Sequence, residues 1–222
     1  MRGMMLALFT VVAALLAFNT PASAEKRVAL VIGNGAYQAT TRLANPPSDA
    51  ADMAKALAKI GFEVVEVVDG DLAAMTAAIR HFGKVSAGAD VALFYYAGHG
   101  LQVGSTNYML PVSAVLANEQ DLEFEAIEVG LPLRLMDQSR AKVKLVILDA
   151  CRNNPLAQTL ASSMQAGGRG AAVGRGLARV DGAEGTLMAF ATARAPSPMM
   201  AAPATAPSPA LSSRISRRRA SR

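Results

Sequence analysis

The sequence predicts an α/β fold: a mostly parallel sheet with helices on both faces. Three observations carry it. Short apolar runs alternate with amphipathic stretches of helical period along residues 27–160, the pattern of strands joined by crossover helices. The run Leu145–Leu148 is aliphatic without polar interruption, as in a strand buried on both faces. Two such runs end in chemistry, one at His99 and one at Cys151. The carboxyl edge of an open α/β sheet is where ligands bind.

In chain order, Arg2 and an apolar run from Met4 to Phe18 precede Pro21-Ala22-Ser23-Ala24. That is the build of a secretory signal peptide over residues 1–24, cut after Ala24. The run is shorter than the roughly 20 residues a membrane span needs. The expectation is therefore an exported chain, periplasmic or secreted, with no stable membrane partner unless this segment stays uncleaved.

Arg27–Ile32 reads as the first strand, turning at Gly33-Asn34-Gly35-Ala36-Tyr37. A dinucleotide fingerprint would require glycine at position 38, where Gln38 stands. Asn45-Pro46-Pro47 breaks the chain, with Ser48 expected as N-cap of a helix and Asp49 placed for its positive end. Met53, Leu57 and Ile60 share a face of that helix, and Gly61 ends it. Phe62–Val68 is a second strand. After Asp69-Gly70, a helix carries Leu72, Met75, Ile79 and Phe82 at three- and four-residue steps. His81 lies opposite Leu72 at 100° per residue, facing solvent, and is given no catalytic role.

Asp90–Tyr96 is the next strand, followed by Ala97-Gly98-His99-Gly100. The flanking glycines are expected to leave the imidazole unshielded. Residues 102–111 are polar and turn-rich, with Tyr108-Met109-Leu110 as a short strand. Glu119, Asp121, Glu123, Glu125 and Glu128 then form an acidic run. It reads as a solvated face, a cationic substrate pocket or a calcium site, and the spacing does not choose. A helix follows through Leu131, Leu135 and Met136. Val143–Cys151 is the central strand, stopped by Asn153-Asn154-Pro155. Cys151 is the chain's only cysteine and has no intrachain disulfide partner. A cysteine and a histidine on one sheet edge are a candidate nucleophile and base.

Tyr95-Tyr96-Ala97-Gly98-His99-Gly100 and Asp149-Ala150-Cys151-Arg152-Asn153 resemble the caspase and metacaspase group of cysteine peptidases. The group's signature is Gln-Ala-Cys-(Arg/Gln/Gly)-Gly, with the histidine about fifty residues upstream. Here the gap is 151 − 99 = 52 residues. Asp149 and Asn153 depart from the animal signature, and an acidic residue two before the cysteine looks more like metacaspases and their bacterial relatives. The resemblance covers residues 26–192. It implies a caspase-like three-layer sandwich with a large-subunit-like part over 26–160.

The resemblance also implies roles. Cys151 would be the nucleophile, His99 its base, and the backbone N–H groups of Gly100 and Cys151 the oxyanion donors. Asp149 would attract a basic P1 side chain, unless it caps a loop amide instead. Arg152 keeps open a P1 aspartate. The Gly/Arg-rich stretch 165–180 reads as a flexible linker, with processing sites after Arg169 or Arg175. A last strand spans 186–192.

From Ala195 the chain is alanine, proline, serine and arginine, read as a disordered tail over 195–222. Relatives in the group usually continue with further small-subunit structure. A truncation or frame change near residue 194 is the expectation, which re-sequencing would settle.

Composition agrees with one aliphatic core: hydrophobic content is 52%, aromatic content 5%, and tryptophan is absent. The net charge of +5 equals the five arginines of residues 214–222 (Arg214, Arg217, Arg218, Arg219, Arg222), so the rest sums to zero. The high pI is therefore a property of the tail and does not suggest a nucleic-acid-binding domain, so no nucleic acid is expected as a partner. The expected partner is a peptide or protein substrate. No cofactor or metal is expected, with calcium dependence left open. The competing readings are an inactive caspase-like binding module and an unrelated α/β hydrolase that uses cysteine.

Overall fold

The computed structural model describes residues 25–151, 155–166, 173–175, 177 and 186–191. Five parallel strands form its centre in the order β2-β1-β3-β6-β8. They are β1 (Arg27–Gly33), β2 (Phe62–Val68), β3 (Val91–Val103), β6 (Val143–Cys151) and β8 (Thr186–Ala191). Residues 28–32 of β1 are fully buried. The reason is that helices cover both faces of the sheet, as its unbroken apolar sequence requires.

Helix α1 (Pro46–Lys59) packs on one face, where Ala50, Ala54 and Leu57 meet Ala29, Val31, Leu93 and Tyr95. On the other face lie α2 (Leu72–Val85) and α4 (Gly130–Gln138). Met75, Ile79, Phe82 and Met136 there pack against Leu30, Ile32, Phe94, Tyr96, Val146 and Leu148. Alternate residues of each strand serve the two cores, as a period of two dictates. His81 is exposed, as expected.

β3 is longer than its apolar run. Its first part pairs in parallel, and beyond it Gly100–Val103 pairs antiparallel with β4 (Thr106–Met109) and Leu101–Val103 with β7 (Val173–Arg175). β4 pairs in turn with the two-residue β5 (Ile127–Glu128). A third core, including Leu101, Leu110, Leu122, Leu156 and Leu160, joins this extension to α5 (Pro155–Ala166) and the short α3 (Leu122–Glu125).

Four local expectations are corrected. Ser48 is not the N-cap: the helix starts three residues earlier at Pro46, Asn45 is the cap, and the Ser48 hydroxyl donates to the Asn45 carbonyl (2.8 Å). Ile60 follows the helix and is exposed, because Gly61 at φ +86° closes it. The short strand is Thr106–Met109, not 108–110, since a tight turn at Gly104 (φ +59°) folds it back on β3. Val173–Arg175 is a strand rather than flexible linker, with Arg175 the register partner of Leu101. It adds to a side of β3 that no other described strand occupies there. The signal segment 1–24, Arg152, the Arg169 processing site and the tail 195–222 lie outside the described residues.

Candidate active site

Chain order reverses between β1 and β3, since β2 lies outside β1 while β3 and β6 extend the other way. The carboxyl ends of β1 and β3 border a topological switch point. The loop after β1 runs under this edge and is held by side chains from across the sheet. The Asp69 carboxylate accepts from the N–H groups of Gly35 (2.7 Å) and Ala36 (2.8 Å). The fully buried Asn34 amide accepts from the Gly70 N–H (2.9 Å) and donates to the Leu110 carbonyl (3.0 Å).

His99 stands at this edge, and its register partner on β6 is Cys151. One position before it Gly98 pairs with Ala150, and two before it Ala97 pairs with Asp149. The glycines do not leave the imidazole unshielded, for His99 is only 1% exposed. Loop residues brought from sixty positions upstream enclose it. The Tyr37 ring lies 4.4 Å from the imidazole, and its hydroxyl accepts the His99 backbone N–H (2.7 Å). Tyr96 donates its hydroxyl to the His99 carbonyl (2.6 Å). Gly98 must be glycine here: its φ is +156°, and a Cβ would lie 2.7 Å from the Tyr37 hydroxyl and 2.8 Å from that of Tyr96. A Cβ on Gly100 would lie 2.8 Å from Leu177 and 3.1 Å from Ala150.

The imidazole's hydrogen bonding fixes its protons. Nε2 sits 2.8 Å from the Thr41 carbonyl, which can only accept, so Nε2 carries a hydrogen. Burial pushes the ring's pKa below its usual value, against the opposing pull of the Thr41 bond. The ring is then neutral near pH 7 and its lone pair is on Nδ1. That atom is buried and has no hydrogen-bond partner among the described residues. A buried polar atom left unmatched typically costs about 1–3 kcal/mol. Such an atom calls for a specific explanation, and a catalytic role is one.

Asp149 is half-buried, and no hydrogen bond or ion pair to its carboxylate is present among the described residues. The loop after Cys151, residues 152–154, whose amides such a cap would take, lies outside the described residues. Burial raises its pKa first, and the charge of Asp49 raises it further. Tyr95, pushed up to about 12 by burial, also feels both carboxylates. Sequence reasoning missed this neighbour, assigning Asp49 only to the helix end. Tyr37 and Thr41 were missed as well, because nothing local marks a loop residue that will contact a distant histidine.

The acidic run is largely spoken for. Asp121 accepts from the N–H groups of Ala117 (2.7 Å) and Asn118 (2.9 Å), and Glu128 pairs with Arg134 (3.4 Å). Among the described residues no three His, Cys, Asp or Glu side chains gather as a metal-binding group. No described helix is long and apolar enough to cross a membrane.

The caspase-domain family model matches residues 26–209. The chain belongs to the caspase-domain family. Membership makes it a caspase-like cysteine peptidase domain, for which proteins are the general substrate class. The match runs beyond residue 192, where the resemblance in the sequence was expected to end. The chain is also 30% identical over 129 residues to "Mucosa-associated lymphoid tissue lymphoma translocation protein 1" of Homo sapiens and to its Mus musculus homolog. These alignments cover 58% of this caspase-domain chain and 15% of each relative's length.

Proposed function

We propose that the chain is an exported cysteine endopeptidase that cleaves after arginine or lysine through His99 and Cys151. The observation that carries it is the register pairing of these two residues, together with a histidine whose unmatched nitrogen is the basic one. In this reading Nδ1 takes the thiol proton, and the Cys151 sulfur attacks the scissile carbonyl carbon. The backbone N–H groups of Gly100 and Cys151, carried over from the family resemblance, receive the developing oxyanion. The protonated imidazole then delivers its proton to the leaving amine, and water hydrolyses the acyl-enzyme.

Asp49 and Asp149 supply specificity. Two neighbouring carboxylates with no cation beside them among the described residues are matched by a substrate guanidinium or ammonium. Export rests on the build of residues 1–24.

The test is hydrolysis of fluorogenic peptides with P1 arginine, lysine or aspartate by the wild type, Cys151→Ala and His99→Ala. Turnover of the basic peptides that disappears in both variants is expected. No turnover by folded wild type, with or without added calcium, would overturn the reading in favour of a binding module.

A further inference from the structure

Two surfaces that the proposed chemistry does not use complement each other. The first is a groove of about 400 Å³ between α2 and α4. Ile79, Gly83, Leu131 and Leu135 form its apolar wall, and Arg80 and Lys84 stand along it. Gly83 leaves room at the floor, since a Cβ there would meet Leu135 at 3.1 Å. Arg80 and Lys84 are one helical turn apart and neither joins an ion pair among the described residues. The groove is therefore apolar inside and uncompensated positive at its rim.

The second surface is a knob of opposite character. Phe124 is 70% exposed and Val115 57% exposed. The two segments are tied by a bond from the Val115 N–H to the Glu125 carboxylate (3.3 Å). Glu123 and Glu125 flank Phe124 in sequence. A single exposed apolar side chain is ordinary. Here the exposed phenylalanine and valine lie on two segments joined by that bond, with Glu123 and Glu125 beside Phe124 in sequence, and the segment is held firmly. Leu122 is anchored in the core, and the Asn118–Asp121 capping box fixes the turn before it. A preorganised knob gives up little freedom on docking.

We infer that the knob of one copy docks in the α2–α4 groove of a second copy, with Phe124 against Leu131 and Leu135 and the knob's acids against Arg80 and Lys84. The contact is heterologous, so each docked copy still offers a free groove or a free knob, and assembly continues to a ring or an open chain. The patches are small, which places the association at the weak, salt-sensitive end.

The test is sedimentation of the protein as the expression host delivers it, at concentrations up to about 1 mM. The wild type is expected to show a mass that rises past two subunits, and to lose this in high salt. Phe124→Ser spoils the knob, and Arg80→Glu with Lys84→Glu spoils the groove. Both change exposed or rim positions and each variant alone should be monomeric. Mixed one to one, they should form a heterodimer that grows no further, because one supplies the only intact knob and the other the only intact groove. A monomeric wild type, a mixture that stays monomeric, or association that both variants retain would overturn the proposal. So would a monomeric wild type whose groove takes up only a free acidic, phenylalanine-bearing peptide.

Discussion

His99 and Cys151 are register partners on adjacent parallel strands, although 52 residues separate them in the chain. Neighbouring strands lie roughly 4.8 Å apart, so the pairing brings the two backbones together. What sets the register is apolar matching along the rest of the pair: Leu93 with Leu145, Phe94 with Val146, Tyr96 with Leu148. A slip of one residue would turn every one of these side chains to the wrong core. The sheet's hydrophobic pattern thus also positions the chemistry.

The buried imidazole makes a prediction about rate. Because burial holds His99 below its ordinary value near 6.5, Nδ1 keeps its lone pair in mildly acidic solution. The acid limb of kcat/KM on a basic-P1 peptide is expected to have its midpoint below about pH 6.5. A limb above that value would place another group in the base's role.

The same shift makes a prediction about stability. In the window between the lowered folded value and about 6.5, the unfolded chain binds a proton that the folded ring refuses. This contribution is fully present above about pH 6.5 and is lost as pH falls through the folded-state value. Thermal unfolding followed by circular dichroism should give a Tm that falls over that range. His99→Ala should lower Tm at every pH by leaving a cavity, and should remove this part of the slope.

Much of this architecture was legible in the chain, and the physical reason differs by element. β1 and β6 announce themselves because a strand buried on both faces has nowhere to put a polar residue. β7 does not, since Val173-Gly174-Arg175 is a strand only because Leu101–Val103 offers it a partner. His99 and Cys151 could be read at strand ends, but the enclosure of His99 could not. Its walls, Tyr37 and Thr41, come from a loop whose path depends on Asp69 and Asn34 bonding across the sheet. Asp49 was hidden by ambiguity, because an acid in a first helical turn already has an ordinary use.

Gly98 tests that enclosure. Gly98→Ala forces a side chain into φ +156° and against the hydroxyls of Tyr37 and Tyr96. Those hydroxyls bind the N–H and carbonyl of His99, so relief of the clash moves the base. Backbone strain and overpacking each cost about 1–3 kcal/mol. The expected result is a Tm lower by several degrees, roughly 2–4 °C per kcal/mol for a chain of this size. In whatever protein remains folded, kcat should fall more than KM rises. Unchanged stability would mean that the tyrosines do not close on the histidine in solution.

The two carboxylates predict opposite effects on stability and function. Asp149 has a raised folded-state pKa, so at neutral pH its charge is less comfortable in the folded chain than in the unfolded one. The penalty is present above the raised folded value and disappears below about 3.8, where both states are protonated. Asp149→Asn removes it, so the variant should melt above the wild type at about pH 7, with the gap closing toward about pH 4. For activity the same substitution should be harmful. A hydrogen bond to a charged group contributes about 1.5–3 kcal/mol, which predicts a loss of roughly ten- to a hundredfold in kcat/KM on P1 arginine. Asp49→Asn should weaken the same peptide and, by removing a like charge, bring the Asp149 pKa down. A carboxylate kept at a cost to the fold is the behaviour of a binding group. If Asp149→Asn were destabilising and left P1 preference intact, the acid would be structural, and the basic specificity would have to come from elsewhere.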